Sequence, residues 1–163
     1  MKKRINKEAL FLLTSVVVCV ALVNFMCLVF PALKLTPKLA GGQTVIKVEG
    51  IDAVFGGEIT INNINILKMK FNFISLLGYI FPLAGAVLVI IGLKKTNPIM
   101  YYLAGSLCIL GGITTLLEGF IFNQINNLEE IKVSLLVGPI IGGVCGLIAG
   151  FISLGSWNIF NKK

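Results

Sequence analysis

Few side chains in this sequence could do chemistry, and those that could stand alone. There is no histidine, which removes the commonest general base and the commonest metal ligand. Asp52 is the sole aspartate and falls in a stretch between long apolar blocks. Cys19, Cys27, Cys108 and Cys145 form no C-x-x-C pair, and each falls inside an apolar run. A thiol oxidoreductase needs a closely spaced redox pair, so these are expected to be small buried apolar groups. Neither a G-x-x-x-x-G-K-[ST] phosphate loop nor a G-x-S-x-G elbow occurs. The one remaining candidate is Glu118, the only ionisable residue inside an apolar block. Intramembrane acids often mark ion or proton paths. Glu118, however, sits about four residues from the end of its block, roughly 12 Å from the block's middle at 1.5 Å per residue. That depth makes it an interfacial carboxylate, expected to pair with Lys132, Lys70 or a lipid headgroup. The competing reading is the acid of a proton-coupled transporter. Asn24 and Thr114-Thr115 are expected to make hydrogen bonds between helices. No catalytic residue, metal ligand or cofactor is expected, and the chain reads as a non-enzyme.

The elements that would carry these residues follow from composition. Of 163 residues, 56% are hydrophobic and 13% charged, whereas soluble domains carry roughly 25% charged residues. Four apolar blocks, at about 9–33, 71–93, 99–122 and 133–160, account for the deficit. Each reaches the ~20 residues needed to cross ~30 Å of hydrocarbon, and the last must tilt or leave its ends in the interface. Met1-Lys2-Lys3-Arg4 suits the start of a secretory signal. The first apolar run is too long for one, however, and ends in Phe30-Pro31-Ala32-Leu33-Lys34 without an A-x-A site. It reads as a true span.

Lysine placement sets the expected orientation. The flanks on one side hold Lys2, Lys3, Arg4, Lys7, Lys94, Lys95, Lys162 and Lys163 against a single acid, Glu8. The segments on the other side mix Lys34, Lys38, Lys47, Lys68, Lys70 and Lys132 with Glu49, Asp52, Glu58, Glu129 and Glu130. Both termini are therefore expected in the cytoplasm of a multi-pass cell-membrane protein, with Tyr101, Tyr102 and Trp157 near the inner interface. The basic excess is a topology signal. Nucleic-acid binding would need a basic face with stacking aromatics on a soluble domain. Thirteen lysines against one arginine, with abundant Ile and Asn, point to an AT-rich bacterial genome.

Residues 34–70 form the one connecting segment long enough to fold. Thr44 to Val48 is rich in β-branched residues, and Ile51–Phe55 and Glu58–Ile61 flank Gly56-Gly57, a hairpin signal. Ile64–Met69 alternates again after Asn62-Asn63, a bulge or turn. Three or four short antiparallel strands resting on the helix ends are expected, because so small a sheet is marginal alone. The fold class is thus an all-α membrane protein: a four-transmembrane-helix bundle with a small antiparallel β-sheet in the first extracytoplasmic loop, organised as one membrane domain over 1–163.

Lipoprotein signal peptidases are similar in length and layout, but their chemistry needs a pair of membrane-embedded aspartates, and the apolar blocks here contain none. The arrangement of four helices, cytoplasmic termini, a β-rich first outer loop and a short second one resembles that of the claudins and the peripheral myelin protein. The resemblance is one of layout. Members of the claudin family carry a tryptophan and a cysteine pair in the first outer loop, and residues 34–70 have neither. It implies a bundle under a small sheet, with the sheet as a contact surface.

Glycine spacing bears on how the helices meet. Gly78, Gly85 and Gly92 fall seven apart, as do Gly105, Gly112 and Gly119, whereas Gly138, Gly142, Gly146 and Gly150 fall four apart. A tight turn at Asn97-Pro98 would bring the two seven-residue sets to matching depths, Gly85 beside Gly112. The four-residue ridge suits close right-handed crossing, either with the first helix or with another membrane protein or a second copy of the chain. The function expected is that of a small membrane protein acting through protein or lipid contacts, such as an accessory subunit, scaffold or envelope-interaction protein. The alternative is a small transporter or channel component using Glu118.

Overall fold

The computed structural model describes residues 7–37, 45–61 and 64–156. Four of its helices are long and apolar enough to cross a membrane. Helix α1 (Lys7–Met26) runs into a short 3-10 turn and stops before Pro31. The residue before a proline is pushed out of the helical region, and Phe30 accordingly has φ −85° and ψ 159°. The first span therefore ends earlier than residue 33, and Pro31–Pro37 becomes strand β1. Strand β2 (Ile46–Glu49) pairs antiparallel with it.

Helix α2 (Gly50–Phe55) stands where sequence patterning suggests a strand. Its start is fixed by crowding: a Cβ on Gly50 would collide with the Leu28 carbonyl. Its end is Gly56 at φ +80°, a conformation that favours glycine. Gly56-Gly57 is thus a helix stop, and the hairpin joins strands β3 (Gly57–Ile61) and β4 (Ile64–Met69) instead. Asn62-Asn63 lies outside the described residues.

Helix α3 (Phe73–Lys95) is capped by Asn72, whose side chain accepts from the Ser75 N–H at 3.0 Å. Thr96 in the left-handed region and Asn97, whose side chain accepts from the Ile99 N–H at 3.0 Å, make the turn into α4 (Pro98–Leu116). The third block then breaks. Leu117, at φ −89° and ψ 3°, ends α4, and a separate helix α5 (Glu118–Asn126) follows. The fourth block starts as strand β5 (Ile131–Leu135), not helix, and α6 (Val137–Gly155) begins after it. Ile131-Lys132-Val133-Ser134-Leu135 alternates with a period of two, which suits a strand with one face inward.

The four long helices close into a ring. α3 packs on α4, α4 on α6, and α1 on both α6 and α3. At one end stand a three-stranded antiparallel sheet, ordered β2-β1-β5, and the two-stranded β3-β4 hairpin. Both connecting segments therefore contribute strands: Leu33 pairs with Leu135 and Pro37 with Ile131. The inner face of this sheet puts Leu33, Leu35 and Val48 into a core with Ala53, Met69, Phe122 and Leu128. Ala32 and Leu33 are both buried although adjacent, because a bulge shifts the β1–β2 register between Pro31 and Leu33.

Close helix packing uses small residues, but in a different pairing from the one spacing suggests. Gly85 faces Ala104 and Cys108 of α4, where a Cβ would lie 3.0 Å from the Ala104 carbonyl oxygen. Gly78 likewise meets Thr115 and Gly111, and Gly92 meets Tyr101 and Met100. Gly112 faces α6 instead, 2.7 Å (measured from its would-be Cβ) from the Gly143 carbonyl, and Gly105 meets Gly150 and Leu154. Gly119 lies in α5 beneath Leu135 and Leu33. The matched-depth pairing of Gly85 with Gly112 is therefore not the seam. α4 presents one row of small residues to α3 and its glycine row to α6. The ridge on α6 is filled from within the chain: Gly138 and Gly142 meet Cys27 and Asn24 near the end of α1, and Gly146 and Gly150 meet α4.

Candidate functional site

Glu118 is the first residue of α5, directly after the break at Leu117. Its side chain is fully buried. The Tyr79 hydroxyl on α3 donates to Glu118 Oε2 at 2.7 Å. Tyr79, itself fully buried, packs with Cys27, Leu28 and Val54, so the pair ties α3, α5, the end of α1 and α2 together. Glu118 Oε1 has no hydrogen-bond partner among the described residues. Glu118 lies in α5, beyond the end of the α4 span. Burial pushes its carboxyl up to about 7, against the lowering effect of the Tyr79 hydrogen bond.

The expected partners of Glu118 are elsewhere. Lys132 is exposed on the sheet, and the Lys70 backbone N–H donates to Asn126 Oδ1 at 2.9 Å. Sequence depth alone placed Glu118 at an open interface. In the structure it is fully buried against Tyr79. Nothing in the sequence around Tyr79 singles it out, because a tyrosine in an apolar block is ordinarily packing.

Asn24 does bridge helices, as its position suggests: its Nδ2 donates to the Gly142 carbonyl at 2.6 Å. Its Oδ1, buried, has no partner among the described residues. Thr114 and Thr115 do not bridge. Their hydroxyls donate within α4, to Leu110 and Gly111 carbonyls. Tyr101 is not an interfacial ring but a core one, with its hydroxyl 2.7 Å from Thr14 Oγ1 and its carbonyl accepting from Ser153 Oγ at 2.7 Å. Tyr102 is exposed, and Trp157 lies outside the described residues. Among the cysteines, Cys27 and Cys108 are buried, Cys145 is half-buried and Cys19 is exposed on α1.

The sheet assembles a second feature, which the sequence scatters over a hundred residues. Lys34 of β1 stands directly opposite Lys47 of β2, and on its other side opposite Ser134 of β5. Lys132 pairs with Thr36, one step along the same face. Since Leu33, Leu35 and Val48 point inward, Lys34, Lys47 and Lys132 share the outward face. Like charges directly opposite each other destabilise a sheet by roughly 0.2–1 kcal/mol. Burial of one inner aliphatic side chain supplies about 1.5–3 kcal/mol, so the fold tolerates the arrangement. The ion pair of the neighbouring hairpin, Lys68 to Glu58 at 3.5 Å, does not involve these lysines.

Comparison of the chain with protein-family models and with curated proteins yields no match.

Proposed function

We propose that this is a non-enzymatic membrane protein that works through contacts, as an accessory subunit, scaffold or envelope-interaction protein, and that the outward face of its sheet is the contact surface. The observation that carries this reading is the row Lys34, Lys47 and Lys132 on one face of the sheet. A sheet held on the bundle by a dense apolar core offers a fixed surface, and clustered ammonium groups suit a partner bearing carboxylates or phosphates. The lysine bias of the flanks supports cytoplasmic termini, with the sheet end outside a bacterial cell membrane.

Purification of the tagged protein from membranes in mild detergent, beside a Lys34→Glu/Lys132→Glu variant, tests the reading. A species that accompanies the wild type and is lost from the folded variant supports it. Equal recovery with both, or no accompanying species, counts against it. The second reading, a transport component, draws support from the fully buried Glu118, one oxygen of which has no partner among the described residues. It requires ion or proton flux from reconstituted wild type that Glu118→Gln abolishes.

A further inference from the structure

Helix α2 lies outside the spans yet carries apolar side chains that the fold leaves uncovered. Ala53 and Val54 face the core, whereas Ile51 and Phe55, four residues apart on the other face, are 41% and 52% exposed. Phe55 does not stand alone. Its ring centroid is 6.2 Å from that of Phe71, and Phe71 is 6.5 Å from Phe73. Phe71 and Phe73 are themselves 52% and 57% exposed. Phe73 is the first residue of the α3 span, and its exposed face continues along that helix through Ile80 and Val87. The row of rings therefore runs without a gap from the lipid-facing stripe of α3 onto α2. Exposed Asp52 and Lys70 border it, as polar side chains do at headgroup level.

We propose that α2 and the Phe55–Phe71–Phe73 row form an interfacial anchor that lies in the bilayer's headgroup–acyl boundary, the lipid surface being the partner. Continuity with the span favours lipid over protein: whatever bathes Phe73 also reaches Phe55, two ring steps away. Position along the membrane normal is fixed by the fold. The Asn72 N–H donates to the Val54 carbonyl at 2.7 Å, and Val54 packs with Leu28, Cys27 and Tyr79, so α2 cannot lift away from the end of α3 without breaking that core. Amphipathic segments at this boundary bury their apolar face roughly 5–10 Å deep. Removing the exposed apolar surface of Ile51 and Phe55 from water favours this placement. The anchor rests on α3 spanning a bilayer and is independent of any contact role for the lysine face.

The test is tryptophan fluorescence of the full chain in vesicles whose lipids are brominated either near the headgroup or near the chain end. Trp157→Phe removes the native fluorophore, and tryptophan is then placed singly by Phe55→Trp, Phe71→Trp or Ile80→Trp. Ile80 lies about 10 Å along α3 from Phe73 and reports the span itself. At the depth amphipathic segments adopt, Phe55→Trp and Phe71→Trp are expected to lose about half their emission to shallow bromines and less to deep ones. Ile80→Trp should show the reverse order. Quenching at Ile80 without quenching at either Phe55 or Phe71 would overturn the anchor while leaving the span intact. No quenching at any position would overturn the span and the anchor together. Phe71→Trp keeps the test decisive if Phe55→Trp fails to fold.

Discussion

Replacing Gly146 should break the bundle at the close α4–α6 crossing. A Cβ at Gly146 would lie 2.8 Å from the Gly112 Cα, 3.0 Å from its nitrogen and 3.1 Å from the Cys108 carbonyl oxygen. All three are backbone atoms, so no rotamer change relieves the contact. α4 and α6 must move apart, and in a bilayer their association depends on that close approach. Overpacking a filled core typically costs about 1–3 kcal/mol. Because only backbone can yield here, Gly146→Ala is expected near the upper end, and Gly146→Leu is expected not to hold a native monomer. Gly155→Ala is the matched control, since a Cβ there meets nothing within 4 Å. Helix propensity alone favours alanine over glycine by up to about 1 kcal/mol, so the same substitution should be neutral or stabilising at 155. Thermal unfolding in detergent, with monomer recovery by size-exclusion chromatography, measures both. Equal unfolding temperatures for Gly146→Ala and Gly155→Ala would refute the α4–α6 packing. A loss of association with the monomer intact would mean that the ridge serves a partner rather than the chain.

Tyr79→Phe removes the one hydrogen bond that the described residues give the buried Glu118 carboxyl and should cost about 1–3 kcal/mol in chemical unfolding, whereas Glu118→Gln, which keeps an acceptor, should cost less. The carboxyl of Glu118 is raised from 4.5 to about 7 in the folded protein, so burial favours its neutral form. Its contribution is complete below the unfolded value and is lost as pH rises through about 7. Wild-type stability measured from pH 4 to 8 should therefore fall relative to Glu118→Gln across that window, and parallel curves would remove the buried-acid assignment. Lys47→Ala should stabilise the sheet slightly, by roughly 0.2–1 kcal/mol, by relieving its opposition to Lys34. A clear loss in thermal unfolding would show that Lys47 has a partner within the chain.

The four long apolar helices were legible because length and apolarity are local properties. Charge-free runs such as Phe71 to Leu93 leave little choice but helix, and Asn97-Pro98 marked the α3–α4 turn. Their ends were less legible. Phe30-Pro31 and Leu117 stop helices inside blocks that stay apolar, since strands beneath a covered sheet are as apolar as a span. Pairing β5 with β1 is a contact across a hundred residues, and no spacing rule encodes it. The lysine face depends on that pairing. Gly56-Gly57 reads as a hairpin signal but stops a helix, because the positive φ at Gly56 favours glycine, and crowding by the Leu28 carbonyl at Gly50, where that helix starts, has no mark in the sequence pattern. For the site, Glu118 was visible as the one acid in an apolar block. Tyr79 was not, since its role arises only when α3 meets the α4–α5 break. The glycine rows were seen, but the faces they serve depend on helix rotation, which spacing leaves free between adjacent neighbours.

The central claim is that the four helices cross a membrane and hold the lysine-bearing sheet on its outer side. In cells carrying a cysteine-free version, Lys47→Cys on the sheet and Thr96→Cys at the α3–α4 turn are labelled with an impermeant maleimide. The expected result is labelling at 47 in intact cells, and at 96 only after permeabilisation. Labelling at 96 but not at 47 in intact cells, or equal labelling at both, would contradict it.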